Sequence, residues 1–281
     1  MQSGERLAKL GRMYTKSTPD GAAYPPPLDR LLGLGNLFTR GRQWRDYLQM
    51  GIALEHVPDL LRMAGDPELN HADEDAPRVY APLHAWRALG QLAAPEAAAP
   101  LARVLVQLPD DDFANEDLPE VLGMIGAASV DPVTAILADS AIEERTRISA
   151  ASTLQEIANR HPELRDRCVE VLIRQLERYA EQTEGVNGFL IDYLVELGAM
   201  EAAPLMEAAF AAGRADTLVR GDWEDVQVEL GLLPERITPG RPADWLGRLG
   251  IGRRPRAAPP VPAAAAIRAK RKEDKRRKAE R

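Results

Sequence analysis

Carboxylates are the side chains of this chain whose grouping most invites a chemical role. Asp73, Glu74 and Asp75 lie ahead of one apolar stretch, and Asp110, Asp111, Asp112, Glu116 and Asp117 ahead of a second. Asp222, Glu224 and Asp225 surround Trp223 ahead of a third. Clustered carboxylates serve three chemistries: they hold a hard cation, cap helix N-termini, or present charge to a basic partner. A calcium loop opened at Asp66 or Asp110 requires Gly at its sixth position and Glu at its twelfth. The chain supplies His71 and Pro77 in the first case, Asn115 and Val121 in the second. Of the four histidines (His56, His71, His84 and His161), no two are spaced i, i+4 as in a helical zinc site, and none precedes Glu. The one cysteine, Cys168, excludes a disulfide framework and reads as a small buried hydrophobe, although Arg165 and Arg167 are near it in sequence. There is no Gly-x-Ser-x-Gly turn, and "GLGNLF" at 33–38 lacks the third glycine of a nucleotide loop. The residues therefore predict no catalytic group, no metal and no cofactor.

The carboxylates must then be weighed as caps or as a docking surface. Asp117-x-x-Glu120 and Asp222-x-x-Asp225 have capping-box spacing or a near variant, and Asn187 precedes "GFLIDYL" as an N-cap would. The alternative is an acidic ridge that meets a basic protein partner. The net charge of −7 conceals a division that bears on both. The first 252 residues hold 24 Lys/Arg and 40 Asp/Glu, while residues 253–281 hold 12 and 3. An acidic body is the wrong sign for a groove that neutralises phosphates. The basic tail, with Lys270, Arg271, Lys272, Lys275, Arg276, Arg277 and Lys278, has the right sign for nucleic acid or ribosome but no aromatic residue for base stacking.

What positions these groups is a repeat. Apolar stretches close on Leu92, Ile125, Ile157, Leu197 and Leu230, at intervals of 33, 32, 40 and 33 residues. Leu89, Leu122, Leu154 and Leu194 stand three residues earlier, so each pair shares one helical face. Gln227 breaks the pattern in the last unit. Pro58, Pro100, Pro132 and Pro204 mark the first turn of a following helix, where a missing N–H costs little. The 40-residue interval is read as a longer second helix in "PELRDRCVEVLIRQLERYA". Low aromatic content and many Ala and Leu residues favour closely packed helices over sheet. The predicted fold is all-α: a right-handed α-solenoid of five to six two-helix units.

"HAWRALGQLAAPEAAAPLARVL" and "LPEVLGMIGAASVDPVTAIL" resemble short bacterial HEAT repeats of the type shared with phycocyanobilin lyases. From about Tyr47 to Leu232 the chain also resembles a group of uncharacterised bacterial HEAT-repeat proteins. The carrying residues are "DPELNHADEDAP", "APLHAWRALGQL", "NGFLIDYL" and "GDWEDVQVELGL". The resemblance implies the helical-repeat architecture and says little of activity; a bilin-lyase-like attachment role is what its lyase branch implies.

The expected organisation is an N-terminal arm or cap over 1–43, with a short helix near Leu28–Leu32, followed by the repeats over 44–236. A Pro/Ala-rich linker over 237–265 leads to a basic, solvated tail over 266–281. Trp86, three residues before Leu89, is expected in the core, and Trp223 at a contact surface. No secretory apolar run opens the chain and no stretch approaches the length of a membrane span, which predicts a cytoplasmic protein without a membrane span. The function expected is a non-catalytic scaffold that binds a protein partner through its acidic ridge or concave face. Tethering to nucleic acid or ribosome through the tail is the alternative.

Overall fold

The computed structural model describes residues 24–36, 44–70, 72–73 and 75–239. Every regular element among them is a helix and none is a strand. None of these helices is long and apolar enough to cross a membrane. The chain divides into two compact units between Arg178 and Tyr179.

The first unit opens with a 3-10 helix, Leu28–Gly33, whose Leu28 and Leu31 are fully buried. There follow α1 (Val57–Ala64), the single turn α2 (Pro67–Asn70), α3 (Ala81–Gln91), α4 (Ala98–Gln107), α5 (Asp112–Ile125), α6 (Ala127–Ala138), α7 (Glu144–Arg160) and α8 (Arg165–Leu176). Their packing alternates. α3 lies against α5, and α5 against α7; α4 lies against α6, and α6 against α8. α3 is covered on all sides, with every residue from Ala81 to Gly90 buried, and the Trp86 indole donates to the Ala64 carbonyl that ends α1. The second unit holds α9 (Glu184–Glu196), α10 (Ala203–Ala211), α11 (Thr217–Arg220) and α12 (Trp223–Glu229). Within it α9 packs on α11, and α10 on α12.

Leucines set the inner face: Leu89, Leu122, Leu154 and Leu194 are all fully buried. The residue after four of the five closing Leu or Ile residues stops the helix. Ala93, Gly126, Gly198 and Gly231 have φ of 48°, 78°, 61° and 75°, the left-handed side that ends a helix without a Cβ penalty only for glycine. Ile157 is followed by Ala-Asn-Arg, and α7 accordingly runs on to Arg160.

That overrun corrects the reading of the 40-residue interval. α8 has 12 residues, more than α4 with 10 and α10 with 9 but the same as α6, so helix length supplies only a small part of the interval. The additional residues lie in the end of α7, the 3-10 turn Pro162–Leu164 and the connector before α9. Proline placement needs a correction too. Pro58, Pro100 and Pro204 sit in first turns, but Pro132 is inside α6, because Gly126 lets that helix start at Ala127. α5 likewise begins before its proline: Asp112, Glu116 and Asp117 are helical residues ahead of Pro119, not a turn leading to the helix.

Glycines within helices mark close approach. A Cβ on Gly90 would lie 3.3 Å from the Val121 Cα of α5; one on Gly123 would lie 2.7 Å from the Glu156 Cβ of α7. Both follow the inner leucine directly, 33 residues apart, so the same point on successive helices is bare.

Three substitutions at the stops should move stability in different directions, one up and two down. Ala93→Gly removes the left-handed Cβ penalty and should raise stability by about 0.5–1 kcal/mol after the added unfolded-state entropy. Gly126→Ala puts a Cβ 2.7 Å from the His161 ring at positive φ and should cost about 2 kcal/mol. Gly198→Ala, with nothing within 4 Å, should cost only about 1 kcal/mol. Thermal and denaturant melts order the three; equal losses at Gly126 and Gly198 would exclude the His161 contact as the cause.

Candidate functional site

The carboxylates divide into those that build the fold and those left facing solvent. Asp111 is the N-cap of α5, accepting the Ala114 N–H at 2.7 Å. Asp117 does not cap: it lies one and a half turns into α5 and accepts the Arg87 Nε and Nη2 of α3 at 2.6 and 3.0 Å. A helix start at Asp112 turns this carboxylate from a capping position to a helix–helix contact. Burial pushes its carboxyl pKa up, and the Arg87 hydrogen bond and charge only partly oppose this. Asp112 pairs with Arg145 of α7 at the surface. Asp73, Asp75, Asp110 and Glu116 are exposed, and Asp73 accepts the Asp75 N–H at 3.1 Å in a turn. Glu74 and the tail residues Lys270–Lys278 lie outside the described residues, as do the linker from residue 240 and most of the arm.

In the second unit, Asp222 and Asp225 do form a capping box at the start of α12, with N–H to carboxylate distances of 3.1 and 3.0 Å. Arg236 lies on them, and its hydrogen bonds hold the Asp222 carboxyl down at about 2 despite partial burial. Trp223 is half-buried and tilted against Phe210, ring centroids 6.1 Å apart. Asn187 is not an N-cap; Thr183 caps α9. Instead the buried Asn187 amide donates to the Tyr179 and Arg214 carbonyls at 2.9 and 2.7 Å and accepts from Gln182, tying the connector to α9.

Two polar clusters went unread in the sequence. Around Arg87, the guanidinium lies 4.7 Å from the Trp44 ring centroid. Beside it the Tyr47 hydroxyl meets His84 Nδ1 at 2.8 Å, and His84 Nε2 donates to the Gly35 carbonyl at 3.0 Å. His84 is thus a neutral core histidine that fastens Gly35 of the arm, and Tyr47 just after it, to α3. Burial, with the Arg45 and Arg87 charges adding to it against the Gly35 hydrogen bond, lowers its pKa to about 4. The second cluster surrounds Arg220, which donates to Asp192 and Glu196 of α9 at 2.8 and 2.9 Å and to Glu229 of α12. Burial opposes that cation, but the Asp192 and Glu229 charges outweigh it and raise its pKa.

A signal for both clusters existed in the composition. Residues 44–239 contain 36 Asp/Glu, 15 Arg and no Lys; the six lysines are all at positions 9, 16, 270, 272, 275 and 278. A planar guanidinium can serve two or three carboxylates in fixed geometry where a lysine would act as a single point charge. Which Asp or Glu each arginine serves has no sequence signature, since Arg87–Asp117 spans 30 residues and Arg220–Asp192 spans 28.

Cys168 is buried, and that burial pushes its thiol up to about 11, an inert rather than a reactive position. Among the described residues, no group of three or more His, Cys, Asp or Glu has the arrangement to hold a metal ion. Comparison with protein-family models, with curated proteins and with solved structures finds no match to this chain.

His84 sets a pH dependence. Its folded pKa lies below the unfolded value of about 6.5, so its contribution is complete above that pH and is lost as pH falls toward 4. Wild-type stability should drop by about 2 kcal/mol between pH 7 and pH 5 from this group alone. His84→Gln should flatten the slope in urea melts across that window; an unchanged slope would assign it elsewhere. Arg220→Met should cost about 3 kcal/mol, because it takes the cation from the buried Asp192 carboxylate.

Proposed function

We propose that this chain is a non-catalytic, cytoplasmic scaffold: a right-handed solenoid of HEAT-like helix pairs, five to six in number, whose acidic surface binds a basic segment of a protein partner. The observation that carries the reading is the charge of the folded body. Residues 44–239 have a formal net charge of −21 with no lysine, and the arginines that could balance it are largely engaged in pairing. Asp73, Asp75, Asp110, Asp112 and Glu116, which border α3 and α5, are exposed, Asp112 within its surface pair with Arg145, and are the proposed partner-facing charge. The alternating contacts of α3, α5 and α7 and of α4, α6 and α8 support the repeat, as do the four recurring helix stops. A field of this size steers a basic partner and repels nucleic acid from the body.

The charge run over 253–281 favours a second reading, in which the tail tethers the protein to RNA or the ribosome. Deleting residues 253–281 would then abolish cosedimentation with ribosomes.

Affinity capture from lysate tests the first reading. A partner should be retained at roughly 50 mM salt and released near 500 mM, where charges are screened within a few Å. The variant Asp73→Asn/Asp75→Asn/Asp110→Asn/Glu116→Gln should lose at least ten-fold in retention while melting like the wild type. Retention of the same partner by the neutralised variant would exclude this surface.

A further inference from the structure

Beyond α12 the chain turns back over the start of that same helix. The Leu232 and Leu233 N–H groups donate to the Gln227 carbonyl, Pro234 redirects the backbone, and residues 235–239 return to the Asp222–Glu224–Asp225 carboxylates. Arg236 makes a two-pronged contact with Asp222, Nη1 to Oδ1 at 2.8 Å and Nη2 to Oδ2 at 2.9 Å. The same guanidinium lies 2.5 Å from Asp225 and 3.2 Å from Glu224. Glu224 also takes the Ile237 N–H at 2.6 Å, the Thr238 N–H at 3.1 Å and the Thr238 hydroxyl.

Two features set this segment apart from the rest of the fold. First, its hold is polar: Ile237 is 80% exposed and Leu232 41%, so the segment is not secured by a buried apolar anchor at either position. Second, two of the carboxylates have supports independent of it: Asp222 and Asp225 are held by their own reciprocal capping bonds, whereas Glu224 bonds to the segment itself. One guanidinium on three carboxylates leaves the cluster net negative, inside a stretch (179–239) of 12 Asp/Glu and 3 Arg. The contacts made by residues 236–238 form a short recognition pattern: a guanidinium, two consecutive N–H groups and a hydroxyl, with the intervening side chain turned outward.

We propose that residues 235–239 are a built-in ligand, a latch over the Asp222–Glu224–Asp225 carboxylates, which a partner displaces with an extended Arg-x-Thr or Arg-x-Ser segment making the same contacts. The proposal deepens the scaffold reading by naming what the partner presents. The latch holds against free peptide because attachment in cis gives it a local concentration on the order of millimolar. A partner engaged elsewhere on the acidic body gains the same advantage and exchanges with it.

The test uses the full chain and a labelled peptide of residues 232–239. The Arg236→Ala/Thr238→Ala variant, with its latch weakened, should bind the peptide at least ten-fold more tightly than wild type does. Adding Asp222→Asn, which keeps a competent helix cap, should reverse that gain, and a peptide with Ala in place of its Arg should not bind. Equal binding to wild type and the weakened variant overturns the proposal. A second measurement needs no variant: amide exchange at Ile237 and Thr238 should be faster than at Val226 and should accelerate with added peptide. If these amides exchange only with global unfolding, the segment is a fixed cap and the latch is excluded. Capture of a partner by the carboxylates of the first unit would be unaffected by that outcome, so the two readings fail separately.

Discussion

Neighbouring helices in this protein touch where their side chains have been removed. Gly90 against Val121 and Gly123 against the Glu156 backbone bring main chains within a distance that one added methyl group would violate. Beside each glycine stands a fully buried leucine, Leu89 or Leu122, so a bare point and a filled point alternate along the contact. Dispersion and hydrophobic burial both fall steeply with separation, and a gap of even half an ångström forfeits much of the contact. Alanine-rich helices with few aromatics can form a core only by approaching this closely, and the remaining features of the first unit follow from that spacing.

Close helices bring their polar neighbours into reach. Asp117 of α5 meets Arg87 of α3, Asp112 meets Arg145 of α7, and Glu120 meets Arg160. These pairs differ in consequence. Arg145–Asp112 and Arg160–Glu120 sit at the surface, where such pairs contribute little. Arg87–Asp117 is largely shielded and also stacks on Trp44, so it fixes how the segment at Trp44 and the two helices meet. Arg220 does the same in the second unit, serving carboxylates from two helices at once. In a body with more than twice as many carboxylates as cations, the few arginines are spent on geometry and the surplus negative charge is left outside. The proposed partner surface is therefore a by-product of how the helices are cross-braced.

Much of this was legible in the residues. Leu89, Leu122, Leu154 and Leu194 announced the inner face by spacing, Trp86 its place in the core, and Asp222-x-x-Asp225 its capping box, since each depends on neighbours within one turn. Asp117 and Asn187 have a spacing that suits a cap, yet neither is one. The actual helix starts, at Asp112 and Glu184, are set by Asp111 and Thr183, which bond N–H groups three residues on. Pro132 falls inside α6 because Gly126 permits an earlier start than proline alone would suggest. The 40-residue interval comes mostly from the run-on of α7 and the turns around α8, since no glycine follows Ile157 to stop that helix.

The sequence by itself determined that the chain is helical, where its leucine faces lie, and that an acidic body is joined to a basic end, because periodicity, propensity and charge are local or additive quantities. Only the tertiary structure decided which carboxylates are cross-braces and which face solvent, that His84 is a neutral clasp for the arm, and that Arg236 returns to Asp222. Those outcomes depend on which side chains meet across 14 to 49 residues of chain. Such meetings are set by how closely the helices pack, a distance that no run of letters contains.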